Sequence, residues 1–151
     1  MEALKGDLMA DNNLDLLKGF ILFSQLKKEN LLAIKKMLHK RKINEDSTIF
    51  MEGESGDKVY FLKRGNVKVM KVSMDGNEQI LEILKPGQVF GEVVLFGINA
   101  YPATAVTMNE VEVEYLGRKE FRNYFNKHPE IGWGMLKVMA RKLYRSQSKI
   151  K

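Results

Sequence analysis

Three glycines, Gly65, Gly76 and Gly87, recur eleven residues apart, and between them the chain reads in short β-type runs. Such a constant stride makes the backbone turn back on itself after each run, which suits a sandwich, barrel or roll of short antiparallel strands. The glycines are assigned to tight turns that need positive φ. Lys58-Val59-Tyr60-Phe61-Leu62 is a compact apolar run rich in β-formers. Val67 and Val69 alternate with Lys68 and Met70, and Val111, Val113 and Tyr115 alternate with Glu112 and Glu114, the period of a half-buried strand. Asp75-Gly76 is a hairpin signal.

On either side the period changes to that of a helix. Asp15 to Leu26 carries Leu16, Leu17, Phe20, Ile21 and Phe23 at helical spacing, and Leu31, Leu32, Ile34 and Leu38 predict a second helix over Glu29 to His39. That places Lys27, Lys28, Lys35, Lys36, Lys40, Arg41 and Lys42 on or beside a helix with a solvated basic face. Beyond the β region, Arg118 to Asn126 predicts a short helix, and Pro129 opens a long one. On the long helix Leu136, Met139, Leu143 and Ile150, with Ser146, fall at a/d-like steps of three and four. Ile131, Met135 and Val138 form a second stripe beside them. One stripe is expected to pack on the β region and the other on a partner subunit; an ordinary amphipathic helix docked on its own domain is the alternative.

The 151 residues are enough for one core, and 44% hydrophobic with 29% charged residues is the balance of a globular domain. The lack of Cys excludes disulfides and Cys-based metal centres. The formal charge of +6 hints at an acidic partner, but solvated helix faces account for it as well. No apolar run approaches the roughly 20 residues of a membrane span, and the N-terminus lacks a secretory signal; a cytoplasmic location without membrane contact is the expectation. No nucleophile elbow, Walker loop or paired His–carboxylate motif is present, so no catalytic or metal-binding residue is assigned. His39 and His128 read as exposed or capping residues rather than haem ligands.

The segment from Phe90-Gly91-Glu92 to Tyr101-Pro102-Ala103-Thr104 gives the pattern its meaning. Gly91 permits a close turn, and Glu92 to Phe96 can form one helical turn whose free N–H groups face an anion. With Ile49-Phe50-Met51-Glu52-Gly53-Glu54-Ser55-Gly56-Asp57, Val59-Tyr60-Phe61-Leu62, Gly65-Asn66-Val67, Asp75-Gly76-Asn77-Glu78 and Leu84-Lys85-Pro86-Gly87 in the same order, the chain resembles the cyclic-nucleotide-binding sensor domain of the CRP/FNR family of bacterial transcription regulators. The resemblance runs from about Phe23 to the end. It implies an α+β fold: an antiparallel, jelly-roll-like β-roll with N-terminal helices and a long C-terminal dimerisation helix. It divides the chain into a tail (residues 1–13), the roll with its flanking helices (14–128) and the dimerisation helix (129–151).

The resemblance also implies a function: an effector domain that allosterically controls a downstream DNA-binding domain. No fixed cofactor follows from it; the effector is a cyclic nucleotide or another small molecule. The expected partners are a second copy, through Leu136, Met139, Leu143 and Ile150, and DNA only through a helix-turn-helix domain that this chain does not include. A stand-alone cyclic-nucleotide-binding domain acting on a partner protein is the alternative. Gly91, Glu92, Val93, Val94, Tyr101, Pro102, Ala103 and Thr104 correspond to the family's phosphate-binding cassette. There the Glu holds the ribose hydroxyl, and an Arg two residues before an Ala pairs with the phosphate. That Ala matches Ala103, so Tyr101 stands where the Arg would, and the cassette is expected to disfavour cyclic AMP. Glu92 either holds a hydroxylated ligand or is a carboxylate satisfied at a helix N-terminus. Tyr101 either lines a pocket for a different ligand or packs at the edge of the roll.

Overall fold

The computed structural model describes residues 14–148. Eight strands form two four-stranded antiparallel sheets: β1 (His39–Ile43), β8 (Val111–Gly117), β3 (Lys58–Arg64) and β6 (Val89–Phe90) in one, and β2 (Thr48–Phe50), β7 (Thr104–Thr107), β4 (Val67–Val72) and β5 (Glu78–Leu84) in the other. Gly65, Gly76 and Gly87 have φ of 88°, 87° and 96°, so the eleven-residue stride is a series of left-handed turns.

The apolar run on β3 has a simple cause. Val59, Tyr60, Phe61 and Leu62 are all buried because both faces of this strand are covered. Tyr60 and Leu62 point between the two sheets, where they meet Phe50, Val67, Leu84, Val111 and Val113. Val59 and Phe61 point the other way, into a layer of helices that includes Leu17, Phe23, Ile34, Phe121 and Ile131. Burial of a large apolar side chain contributes about 1.5–3 kcal/mol, so β3 joins two cores of comparable chemistry.

The helical ends differ from the sequence expectation in two places. The helix expected over Asp15 to Leu26 is broken into α1 (Asp15–Lys18) and a 3-10 turn, Ile21–Phe23. Gly19 lies at the break, where a Cβ would come within 2.2 Å of the Gly87 carbonyl oxygen. Close packing against the β5–β6 turn, not helical periodicity, decides the path there. The second helix, α2, ends at Lys35 (Lys28–Lys35), and His39 opens a strand instead of closing the helix. Past Leu38 no apolar stripe remains to hold a helix on the core, whereas β8 offers a free edge that pairs His39 to Ile43 in register with Tyr115 to Val111. Lys40, Arg41 and Lys42 therefore lie on an edge strand. His39 Nε2 donates a 2.8 Å hydrogen bond to Glu120 Oε1, and its ring stacks on Tyr115. His128 is the C-cap of the helix Arg118–Lys127 and stacks on Tyr124.

Two helices close the chain, α3 (Arg118–Lys127) and α4 (Glu130–Ser148). On α4 Ile131, Met135 and Val138 are buried against the chain's own domain, whereas Leu136, Met139 and Leu143 are exposed. The tail at 1–13 and Ile150 lie outside the described residues. No helix among the described residues is long and apolar enough to cross a membrane.

Candidate ligand site in the roll

β6 delivers the chain to Gly91, which adopts φ 76° and ψ 14°. An L side chain rarely takes that conformation, so a glycine here lets the backbone reverse into the 3-10 turn Glu92–Phe96. The segment then returns as an antiparallel bridge: Tyr101 N–H donates to Glu54 O (3.1 Å) and Gly53 N–H to Tyr101 O (2.8 Å). Thr104 Oγ1 accepts a hydrogen bond from the Glu52 N–H at 2.9 Å, which ties the start of β7 to the β2–β3 loop.

A cavity of about 130 Å³ lies inside this loop. Of the residues singled out in the sequence, Gly91, Glu92, Val93, Pro102 and Ala103 line it. Val94 points into the core with no exposure, and Thr104 is occupied in the bond to Glu52. Tyr101 is 4% exposed and lies beside the cavity rather than on its wall. Its ring stacks on Phe50 with centroids 3.7 Å apart and planes 10° from parallel. The hydroxyl donates to Lys58 O at 2.8 Å and accepts from Lys58 N–H at 3.3 Å. Burial pushes its pKa up to about 12. A Cβ at Gly56 would sit 2.0 Å from Tyr101 Cε2, so the ring depends on a glycine opposite. In this structure the Tyr101 ring packs within the roll.

The cavity wall also includes Glu82, which sequence reasoning missed. Glu82 pairs with Val69 across β5 and β4, and both face the cavity. The available signal was a lone carboxylate inside the apolar run Ile80-Leu81-Glu82-Ile83-Leu84. No lining residue is basic. Glu92 Oε2 is buried without a hydrogen-bond partner, so a position at the start of a short turn does not satisfy the carboxylate fully. Burial raises the Glu92 pKa; its backbone N–H opposes this, the Glu82 charge adds to it and Lys142 opposes it.

The sign of that shift gives a testable pH dependence. Folding favours the neutral acid, so the wild type loses stability as pH rises from the ordinary value of 4.5 through the higher folded value. Glu92→Gln carries no such titration. Its melting temperature relative to wild type is expected to rise across that window, from acid to neutral pH. A difference that stays constant between the two would mean that Glu92 ionises freely in the folded chain.

The β-roll and its cassette-like loop have counterparts in known proteins. Residues 40–128 match the cyclic nucleotide-binding domain family. The chain belongs to that family. Within it, this domain is related to the sensor domains of CRP/FNR-type regulators, which are regulatory rather than enzymatic. It is 31% identical over 129 residues to a CRP-like cAMP-activated global transcriptional regulator of Mycobacterium tuberculosis, a match covering 85% of this chain and 58% of that protein. The chain thus spans little more than half the length of this relative. Among solved structures, the N-terminal domain of a transcriptional regulator from Streptomyces coelicolor A3(2) superposes with a TM-score of 0.77 at 28% identity, over 86% of this chain and 91% of that one. The Thermus thermophilus catabolite activator protein gives 0.69 at 25% identity, over 85% and 61%.

Proposed function

We propose that this chain is the effector domain of a CRP/FNR-type transcription regulator, that it controls a downstream DNA-binding domain allosterically, and that its altered cassette disfavours cyclic AMP. The observation that carries the last part is Tyr101. Where the resemblance puts a guanidinium, a neutral ring is locked between Phe50 and Lys58. Two carboxylates, Glu82 and Glu92, face the cavity with no base opposite. Losing one charge-assisted hydrogen bond costs about 1.5–3 kcal/mol, or roughly tenfold to a hundredfold in affinity, before any repulsion of the phosphate is counted.

Titration calorimetry with cyclic AMP tests this. Affinity weaker than micromolar is expected, and micromolar or tighter binding overturns the reading. Allosteric control requires two arrangements of a dimer with different affinities for the effector, because equal affinity shifts no population. The exposed stripe of Leu136, Met139 and Leu143 supports a dimer built on α4, with Ser146 and then Ile150 as the next seam positions in sequence.

A further inference from the structure

A second and larger cavity lies behind the cassette turn. Arg118, Phe121, Arg122 and Phe125 fall at i, i+3, i+4 and i+7 of α3 and so share one face of the helix. That face looks across to Phe96 and Asn99, and the space between measures about 580 Å³. Small-molecule sites commonly occupy about 300–1,000 Å³. This cavity falls inside that range, and the 130 Å³ cassette cavity does not.

The two cavities are also opposite in charge. Arg118 and Arg122 line the larger one, and none of its lining residues is acidic. The Arg122 side chain makes no hydrogen bond or ion pair among the described residues. Arg118 uses Nη1 on neutral oxygens only: Asn99 Oδ1 at 3.1 Å, Val94 O at 3.3 Å and Gly56 O at 3.5 Å. Among the described residues neither guanidinium is neutralised by a carboxylate. Phe96 is 46% exposed although its ring meets Phe121 edge-on at 6.2 Å. An aromatic surface thus sits beside two uncompensated guanidiniums.

We propose that this cavity binds a small aromatic carboxylate, with the ring against Phe96 and Phe125 and the carboxylate on Arg118 and Arg122. Planar guanidinium matches a carboxylate in two-point geometry, and the phenylalanines supply a flat apolar wall. Arg118 also holds Val94, in the middle of the cassette turn, and Asn99, in the loop that follows it. A ligand drawing on the same guanidinium therefore acts on the cassette from its outer side. The inference is independent of whether the cassette itself binds a nucleotide.

Titration of the nitrogen-15-labelled chain with 2-naphthoate, followed by amide shifts, is the test, with uncharged 2-naphthylmethanol as comparator. Saturable shifts are expected at Phe96, Gly97, Arg122 and Phe125, with the alcohol binding about tenfold more weakly or worse. Arg122 is exposed, so Arg122→Gln leaves the fold intact. It is expected to weaken naphthoate binding by about fivefold or more while leaving the alcohol unaffected. Equal affinity for acid and alcohol, an unchanged Arg122→Gln, shifts centred on Val69 and Glu82, or no saturable shift at millimolar naphthoate would each overturn the proposal.

Discussion

Leu136→Lys combined with Leu143→Lys is expected to turn a dimer into a folded monomer. The basis is the division of labour on α4. Ile131, Met135 and Val138 are 2%, 6% and 5% exposed and hold the helix on its own domain. Leu136, Met139 and Leu143 are 61%, 43% and 59% exposed and contribute little to that attachment. Lysine at 136 and 143 is therefore harmless to the isolated domain, since its amine reaches water and its stem covers the helix. Across a two-fold seam the same changes set like charges against each other in a desolvated contact, which costs several kcal/mol. Sedimentation is expected to report the wild type as a dimer and the double variant as a monomer, with an unchanged far-ultraviolet spectrum. A double variant that remains dimeric places the interface elsewhere, and a monomeric wild type leaves the stripe without a partner. Trp133, 66% exposed on the same helix, provides a fluorescence signal for the transition.

Tyr101→Arg is expected to exchange stability for nucleotide affinity. The ring fills a buried site against Phe50 and above Gly56. An arginine kept inside that site would be a charge without a carboxylate partner, so its side chain turns toward the cavity and leaves a void. Removing a large buried side chain costs about 3–5 kcal/mol. Tyr101→Phe isolates the hydroxyl: it keeps the stack, leaves the Lys58 carbonyl unpaired and is expected to cost about 1–3 kcal/mol. Urea unfolding should thus rank wild type above Tyr101→Phe above Tyr101→Arg. Calorimetry should show cyclic AMP binding to Tyr101→Arg about tenfold tighter or better than to wild type. Equal stability of wild type and Tyr101→Arg would remove the ring from the core. Lost stability with no gain in affinity would mean that position 101 is not where the guanidinium belongs.

Much of the roll was legible because strand burial leaves a mark in the pattern. Val111 and Val113 alternate on β8, and the unbroken run on β3 records a strand covered on both faces. The turn after Gly91 was legible because a glycine and a short apolar segment demand it locally. The helical ends were less so. His39 to Ile43 has the composition of a solvated helix face, and only the distant β8 makes it a strand. The site behaves in the same way. Glycine and carboxylate positions could be read from their order in the chain. The depth of Tyr101 could not, since it depends on Phe50 and Gly56, which reach it only through the paired return of the loop. Glu82 reaches the cavity through a cross-strand pairing that no local pattern encodes.

The double-sided burial of β3 ties the melting of the two halves of the domain together. Lifting the helices away would leave Val59 and Phe61 facing water on a strand whose other side still packs Tyr60 and Leu62. Opening the sheets from within would do the reverse. Neither layer has a floor of its own, so partial unfolding exposes apolar surface at once, and the domain loses its order as a single cooperative unit. Strain introduced at the roll and strain introduced at the helices thus draw on the same reserve of stability.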